Sequence, residues 1–578
     1  MFLISGFLVG QAMLASLADG CSNIIVQRKA SNDNSNIVSY NADSGSLYGS
    51  LYHYPRGEHP AGSLRSVYDW DSGEFLGDID EAQTTYNVVG NINEYGVVIG
   101  ETTFGGLEDL QTQSGAKIDY GSLIWVTLQR SKTAREAIET MASLMSTYGY
   151  ASEGESFSIA DQEEAWIMEV IGKGDYERGA VWVAVRLPDG AVCAHANQAR
   201  ITQFPLNDSE NCMYSPDVIS FARDRGYYSG ADEDFSFSDV YDAVTFSGAR
   251  FCDARVWSFF GAVMGDEWAD QYLDYAQVCI GQNLTNRMPL FVFPPERLSA
   301  ASVMEHMRNH FEDSALDMTG TAAPDVGAMA FSAPYRWRPL TWSDSTGSSY
   351  LNERAISTQQ TGWNFVAQSR NNFPRELAGL MWFGVDDSST TVHFPVYGSV
   401  TRVSSAFGGA GTQDGVVPPM LTFDLTKAFP VFNLVANWAY SRWSLIYPEM
   451  KAKILRTEAI YLAATSEVDS QAARMIHSGD TVAAVEYITK FSESTGDDLV
   501  TEWSAYFGYL FMRYRDGYVI TEDPESKACG CTVNNAPYTA SWYDRIVEDT
   551  GSRLLVPDDD SVKLRFPVKS KLSLKSLK

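Results

Sequence analysis

Beyond its first twenty residues the chain has no uninterrupted apolar run of the ~20 residues that a helix needs to cross a bilayer, so the mature protein is expected not to span a membrane. It is also poor in positive charge: 43 Lys and Arg stand against 73 Asp and Glu, a formal net charge of −30. That balance disfavours nucleic acid or an anionic membrane surface as a partner, since both need compensating positive charge. Histidine is scarce, seven in 578 residues, and no HExxH is present. His306 and His310 have metal-ligand spacing but read as helix surface or packing, and no metal or other cofactor is expected. A P-loop, a nucleophile-elbow serine and a dinucleotide fingerprint are missing too. With 45% hydrophobic and 13% aromatic residues the composition is still that of a folded globular protein.

What the chain does have is a cysteine in an unusual place. Residues 2–17 are apolar except for Ser5, Gln11 and Ser16, and Ala18-Asp19-Gly20 then puts small residues three before and one before Cys21. This A-x-A-like pattern predicts a leader over 1–20 and a secreted or extracytoplasmic protein, a lumenal or lysosome-like compartment included. Cleavage there would give Cys21 a free α-amine of pKa about 7.7–8.0 beside a thiol of pKa about 8.5, so that base and nucleophile share one residue. Two other readings compete: an ordinary half-cystine, and the acylated cysteine of a lipoprotein, for which Asp19 spoils the required run of small residues. The other cysteines, Cys193, Cys212, Cys252, Cys279, Cys529 and Cys531, permit disulfides without fixing their pairing.

Along the chain, residues 23–27 and 37–40 are short β-branched runs joined by a polar loop, which sets the mature N-terminus on a strand. Ala134, Ile138, Met141 and Met145 recur at helical spacing behind a Thr133-x-x-Glu136 capping box and predict a helix over 133–148. Runs at 157–160, 165–171, 181–187 and 191–196 read as successive antiparallel hairpins. A helix is expected over 301–311, an aromatic loop at 335–339, strands at 379–385 and 391–396, and mostly helix over 438–515 with interruptions near 467–470 and 492–497. The expected division is a leader (1–20), a catalytic domain (21–437), a helical C-terminal part of it (438–520) and an extension (521–578).

Amide hydrolysis by such a thiol needs a base, donors for the developing oxyanion and groups that hold the substrate. The α-amine is the base. Asp43, at the end of the second strand, is the nearest carboxylate to orient it, although a turn residue before Ser44-Gly45 is by itself the better reading of Asp43. Asn197, at the end of the run 191–196, is a candidate amide donor for the oxyanion. Arg255 has two candidate partners, a substrate carboxylate or Asp43, with a surface ion pair as the plain alternative. Cys193 and His195 share a strand face by period two, for which packing suffices.

Several motifs carry a family resemblance. Cys21-Ser22-Asn23-Ile24-Ile25-Val26 with Asn41-Ala42-Asp43-Ser44, the run from Gly90-Asn91-Ile92-Asn93 to Thr102-Thr103-Phe104-Gly105-Gly106, Gly154-Glu155-Ser156-Phe157, His195-Ala196-Asn197-Gln198-Ala199-Arg200, Cys252-Asp253-Ala254-Arg255 and Trp382-Phe383-Gly384-Val385-Asp386-Asp387 follow one another in order. The series resembles the cysteine-type dipeptidases of the N-terminal-nucleophile (Ntn) hydrolases. The resemblance implies an α+β fold, a four-layer αββα sandwich with a largely helical C-terminal region, and hydrolysis of dipeptides by Cys21 without a cofactor. It places a second oxyanion group at the backbone of Thr102 or Thr103. Related amidases carry an Arg three residues before the Asp, where this chain has Tyr40. Non-peptide N-acyl amides are the alternative substrates, a non-catalytic or lipid-anchored protein of the same fold the alternative role, and a homo-oligomer is open.

Overall fold

The computed structural model describes residues 20–277, 283–319, 333–335, 340–527 and 529–556. The strands that carry and support the site are β1 (Ser22–Val26), β2 (Ser35–Asp43), β3 (Val98–Thr103), β4 (Glu155–Ala160), β5 (Ala165–Gly172), β6 (Ala180–Arg186), β7 (Val192–His195), β8 (Thr361–Arg370), β9 (Gly379–Val385) and β10 (Phe394–Tyr397). They belong to two antiparallel sheets. The first has the order β7-β1-β2-β8-β9-β10. The second is built on β6-β5-β4-β3 and extended at its ends by shorter strands. The two sheets face one another: the ring of His195 on β7 shares hydrogen bonds of 2.7 Å with Thr102 on β3 and with Ser158 on β4. With both faces covered, all nine residues of β2 are buried.

One expected hairpin is not there. Residues 192–195 do not fold back on β6; they cross to the other sheet and pair with β1, Asn23 opposite His195. Pro188-Asp189-Gly190 is therefore a crossover between sheets rather than a hairpin turn. Gln27 at the end of β1 pins it, donating its N–H to Ala191 O (3.0 Å) and accepting from Gly190 N on its side chain (2.9 Å). The edge of β6 left open is taken by Cys212–Tyr214.

Among the helices are α1 (Tyr120–Leu128), α2 (Ala134–Tyr148), α3 (Ala254–Met264), α4 (Ala300–Met307), α5 (Ala428–Ser441), α6 (Trp443–His477) and α7 (Thr481–Arg513). The four apolar positions predicted for α2 are all buried, and the helix lies against β4, β5 and β6. Half of its capping box forms: Thr133 accepts from Glu136 N at 3.2 Å, but the Glu136 carboxylate takes the N–H of Lys132. The helix expected over 301–311 ends at Met307, and Phe311 and Asp313 beyond it are left-handed (φ 67° and 59°). His306 packs on the ring of Phe259, while His310 bonds Glu312 and Tyr335, so the two rings do not converge. Of the aromatic loop at 335–339, only Tyr335 lies within the described residues.

The interruptions expected near 467–470 and 492–497 do not occur; the break falls at 478–480, between α6 and α7. In the first run Asp469 is instead a buried contact with the first sheet, and in the second Gly496 is a close approach. Asp469 accepts from Arg370 of β8 at 2.7 Å. Gly496 lets α7 approach the chain so closely that a Cβ there would stand 2.8 Å from Ser404 Cβ. Cys529 and Cys531 are joined by a disulfide, Cys193, Cys212 and Cys252 are free and buried, and Cys279 lies outside the described residues. Among the described residues no helix is long and apolar enough to cross a membrane.

Several carboxyl groups are buried deeply enough to make stability depend on pH. Burial pushes Asp119 up to about 6, Asp386 to about 7 and Glu169 to about 8. A group whose pKa is raised on folding stabilises the native state below its unfolded pKa and loses that effect as pH rises through the folded value. His195, lowered by burial to about 3, acts in the opposite sense only below the ordinary histidine value of 6.5. Between pH 6.5 and 8 the unfolding free energy is therefore expected to fall by about 2–3 kcal/mol. Urea midpoints across that window check this, and a rising midpoint contradicts it.

Candidate active site

Cys21 immediately precedes β1, whose ladder puts Ser22 opposite Asn41 of β2, so the thiol stands where the strand leaves the sheet and opens into a cavity of about 410 Å³. It is only 7% exposed. Its Sγ lies 3.3 Å from Tyr40 Oη and 3.5 Å from Glu101 Oε1, and Tyr40 in turn donates to Glu101 Oε1 in a short hydrogen bond. Burial, and then the charges of Glu101 and Asp43, push the thiol well above its ordinary pKa. With residue 20 attached, the sulfur is held protonated.

Asp43 lines the same cavity, and its carboxylate accepts from Thr361 Oγ1 at 2.7 Å with the Arg354 guanidinium 4.0 Å away. It ends β2 rather than forming a free turn, and its carbonyl accepts the N–H of Gly20 at 2.8 Å. The Gly20 carbonyl accepts from Arg354. Gly20 also presses on Asn197: a Cβ there would lie 2.3 Å from Asn197 Nδ2, so no larger residue fits without displacing that amide. The residue before the thiol is thus gripped at its N–H, its carbonyl and its Cα.

Asn197 follows β7 in a left-handed conformation (φ 56°), which asparagine tolerates better than most residues. Its Nδ2 donates to Thr103 O at 2.6 Å, and its Oδ1 accepts from Arg255 at 2.7 Å. Arg255 itself corrects the sequence reading. It is 1% exposed on α3, so it is no surface ion pair, and its hydrogen bonds run to Cys21 O (2.6 Å), Ser22 Oγ (2.7 Å), Asn197 Oδ1, Ala196 O and Phe251 O. They reach neither Asp43 nor the cavity. Its guanidinium clamps the backbone of Cys21 to the end of β7. Burial, and next the charge of Arg354, lower its pKa to about 10, so it stays charged at neutral pH.

Strand alternation separates the two threonines left open by the sequence. Thr102 points between the sheets to His195, whereas Thr103 faces the cavity and donates to Glu155 Oε1 at 2.7 Å. His195 is held neutral by burial and is spent on that inter-sheet contact, so it is not a partner base for a thiol.

A model of Peptidase family C69 matches residues 20–455, beginning one residue before the thiol. The chain belongs to that family. The motif resemblance to cysteine-type dipeptidases and the reading of an enzyme that hydrolyses peptide bonds agree with this membership. A "Probable dipeptidase" of Salmonella dublin is 25% identical over 394 residues, 65% of this chain and 80% of the relative. "Dipeptidase A" of Lactobacillus helveticus is 21% identical over 416 residues, 67% and 77%. For a "Probable dipeptidase" of Latilactobacillus sakei, 22% identical over 276 residues, the match spans 48% of this chain and 49% of the relative.

Within this C69 chain the structure adds residues that the motif reading passes over. Glu101 sits two residues before Thr103 on β3, inside a quoted motif, and period two alone would have put it on the cavity face. Glu155 opposes Thr103 across the β3–β4 ladder. Arg354 comes from a segment with no motif, and nothing in its local sequence announces its grip on residue 20.

Proposed function

We propose that this C69 peptidase is a dipeptidase whose nucleophile is Cys21 Sγ, uncovered when residues 1–20 are removed from a secreted or extracytoplasmic precursor. The scaffold is read as the four-layer αββα sandwich of the Ntn hydrolases, with α2 on the second sheet and α5 to α7 on the first. The observation that carries the reading is the position of Cys21 at the start of a central strand, opening into the cavity, with the segment before it touching Asn197, Asp43 and Arg354.

In this reading the sulfur attacks the carbonyl carbon of the peptide bond. The thiol proton passes by way of the Cys21 α-amine to the leaving nitrogen, which departs as the free second amino acid. Water then attacks the thioester, releasing the first amino acid and returning the proton to sulfur. Asn197 Nδ2, freed from the press of Gly20, and the backbone beside Thr103 are the oxyanion donors; such a donor is worth about 2.7–4 kcal/mol of transition-state stabilisation.

N-terminal sequencing of active material, with a substrate panel, tests the proposal. Cys21 is expected as the unmodified first residue, with turnover of dipeptides. Active protein that begins elsewhere, or that carries an acylated Cys21, rejects it; turnover confined to non-peptide N-acyl amides moves the chain to the acylase reading.

A further inference from the structure

The cavity beside Cys21 is one-sided in charge. Its lining includes six carboxyl residues, Asp43, Asp69, Asp71, Glu101, Glu153 and Glu155, and no Lys, Arg or His. Asp69, Asp71 and Glu153 keep contact with solvent, whereas Glu101 and Glu155 are completely buried, Glu101 against the thiol. The last two are diagonal neighbours on one face of the β3–β4 ladder, since Glu101 pairs with Phe157 and Thr103 with Glu155. Each holds one oxygen conventionally: Glu101 Oε1 takes Tyr40 and the thiol, Glu155 Oε1 takes Thr103. The other oxygen of each, Oε2, is buried and takes no hydrogen bond from a third residue. Burial, with the charge of Glu101 acting on Glu155, raises both, so the two carboxyls hold one another through a shared proton.

The pair so joined still carries a negative charge, and a buried charge is costly unless an opposite one completes it; the cavity lining supplies no Lys, Arg or His. Among the described residues no three His, Cys, Asp or Glu side chains converge as metal ligands, so the missing partner fits an organic ammonium group better than a metal ion. The geometry points to Glu101 and Glu155 as the subsite for the free α-ammonium group of the substrate, the feature by which the enzyme selects peptides with an unblocked amino terminus. This rests on the proposed dipeptidase reading and names its recognition element.

The spacing agrees. A carbonyl carbon in position for attack lies about 3–3.5 Å from sulfur. The α-nitrogen of the same residue is about 2.5 Å further along the chain, given bonds of about 1.46 and 1.52 Å. Glu101 Oε1, 3.5 Å from Sγ, lies within the range of positions that nitrogen can reach. The remaining carboxylates at the solvent side add a field that draws cations toward the thiol and repels acidic peptides.

The test compares a neutral dipeptide with its N-acetyl counterpart on the matured enzyme and on Glu155→Gln. Wild type is expected to prefer the free amine by at least about 100-fold in kcat/KM. Glu155→Gln should lose most of that preference, with kcat/KM falling far more for the free amine, through KM, than for the N-acetyl peptide. Protection of Cys21 from iodoacetamide supplies a readout that needs no turnover: the free-amine dipeptide should protect and the N-acetyl peptide should not. Equal use or equal protection by the two peptides overturns the inference. So does a Glu155→Gln enzyme in which both peptides fall alike, because the pair then serves the Cys21 amine or the fold. If that variant does not fold, the wild-type ratio and the protection experiment decide. Protection without turnover would reject the dipeptidase reading while sustaining the ammonium subsite.

Discussion

Replacing Cys21 with alanine is expected to bring peptide hydrolysis to background, a loss on the order of 10⁴-fold or more, while the protein remains folded. The asymmetry follows from what the thiol touches. Its recorded side-chain partners are Tyr40 and Glu101, and these keep their own hydrogen bond when sulfur is removed. One small buried atom is lost with no cation or clamp disturbed, so the unfolding free energy should move by only about 1 kcal/mol. Activity, by contrast, loses its attacking atom on the proposed mechanism. Circular dichroism and urea midpoints establish the fold and dipeptide turnover reads the chemistry; Cys21→Ala protein with wild-type turnover contradicts the assignment.

Wild-type protein carries a second consequence of the same environment. In the uncut chain, burial and the charges of Glu101 and Asp43 keep the sulfur protonated, and a thiol alkylates slowly. Removal of residues 1–20 replaces the amide nitrogen of Cys21 by an amine, whose positive charge opposes both carboxylates at the closest possible range. Iodoacetamide labelling at pH 7 is therefore expected to be slow before maturation and fast after it. The variant also separates two routes to maturation: Cys21→Ala protein still lacking residues 1–20 points to a separate peptidase, and one that retains them points to the thiol of the chain itself.

The local elements are legible because their signals are local. The β-branched runs of β1, β2, β5 and β6 and the spacing of α2 each sit within about a dozen residues, and the structure reproduces them to within a few positions at their ends. What fails is the inference from neighbours in sequence to neighbours in space. Residues 188–190 have every feature of a hairpin turn, yet the strand after them pairs with β1, because Gln27, more than 160 residues away, holds the crossover. Asp469 and Gly496 look like helix breakers only while Arg370 and Ser404 are out of sight. The site divides in the same way. Cys21 stands out by its position and Asp43 by its place at the end of a strand, while Thr102 or Thr103 is reached only through the family resemblance. The roles of Arg255 and Arg354 exist only through partners that the fold brings to them.

Arg255 gives the sharpest separation of the two readings. As a substrate-carboxylate ligand it would affect KM alone; as the clamp seen in the fold it must affect stability and kcat together. Replacement by methionine keeps length and apolar volume but removes every donor, leaving Cys21 O, Ala196 O, Phe251 O, Ser22 Oγ and Asn197 Oδ1 without their guanidinium partner in a site closed to water. Orphaned buried acceptors cost about 1–3 kcal/mol each before relaxation. Loss of one partner from a buried charged cluster commonly totals about 3–5 kcal/mol. The same guanidinium fixes the carbonyl of Cys21 and the amide of Asn197, so on the proposed mechanism releasing it displaces attacking atom and oxyanion donor at once, and a misplacement of about 1 Å costs on the order of 10²-fold in rate. Arg255→Met is expected to unfold several kcal/mol more easily and to lose kcat at least 100-fold with KM little changed. Arg255→Lys, with a single ammonium in place of the fork, should fall between the two. A variant of full stability and normal kcat with a raised KM would return Arg255 to the substrate.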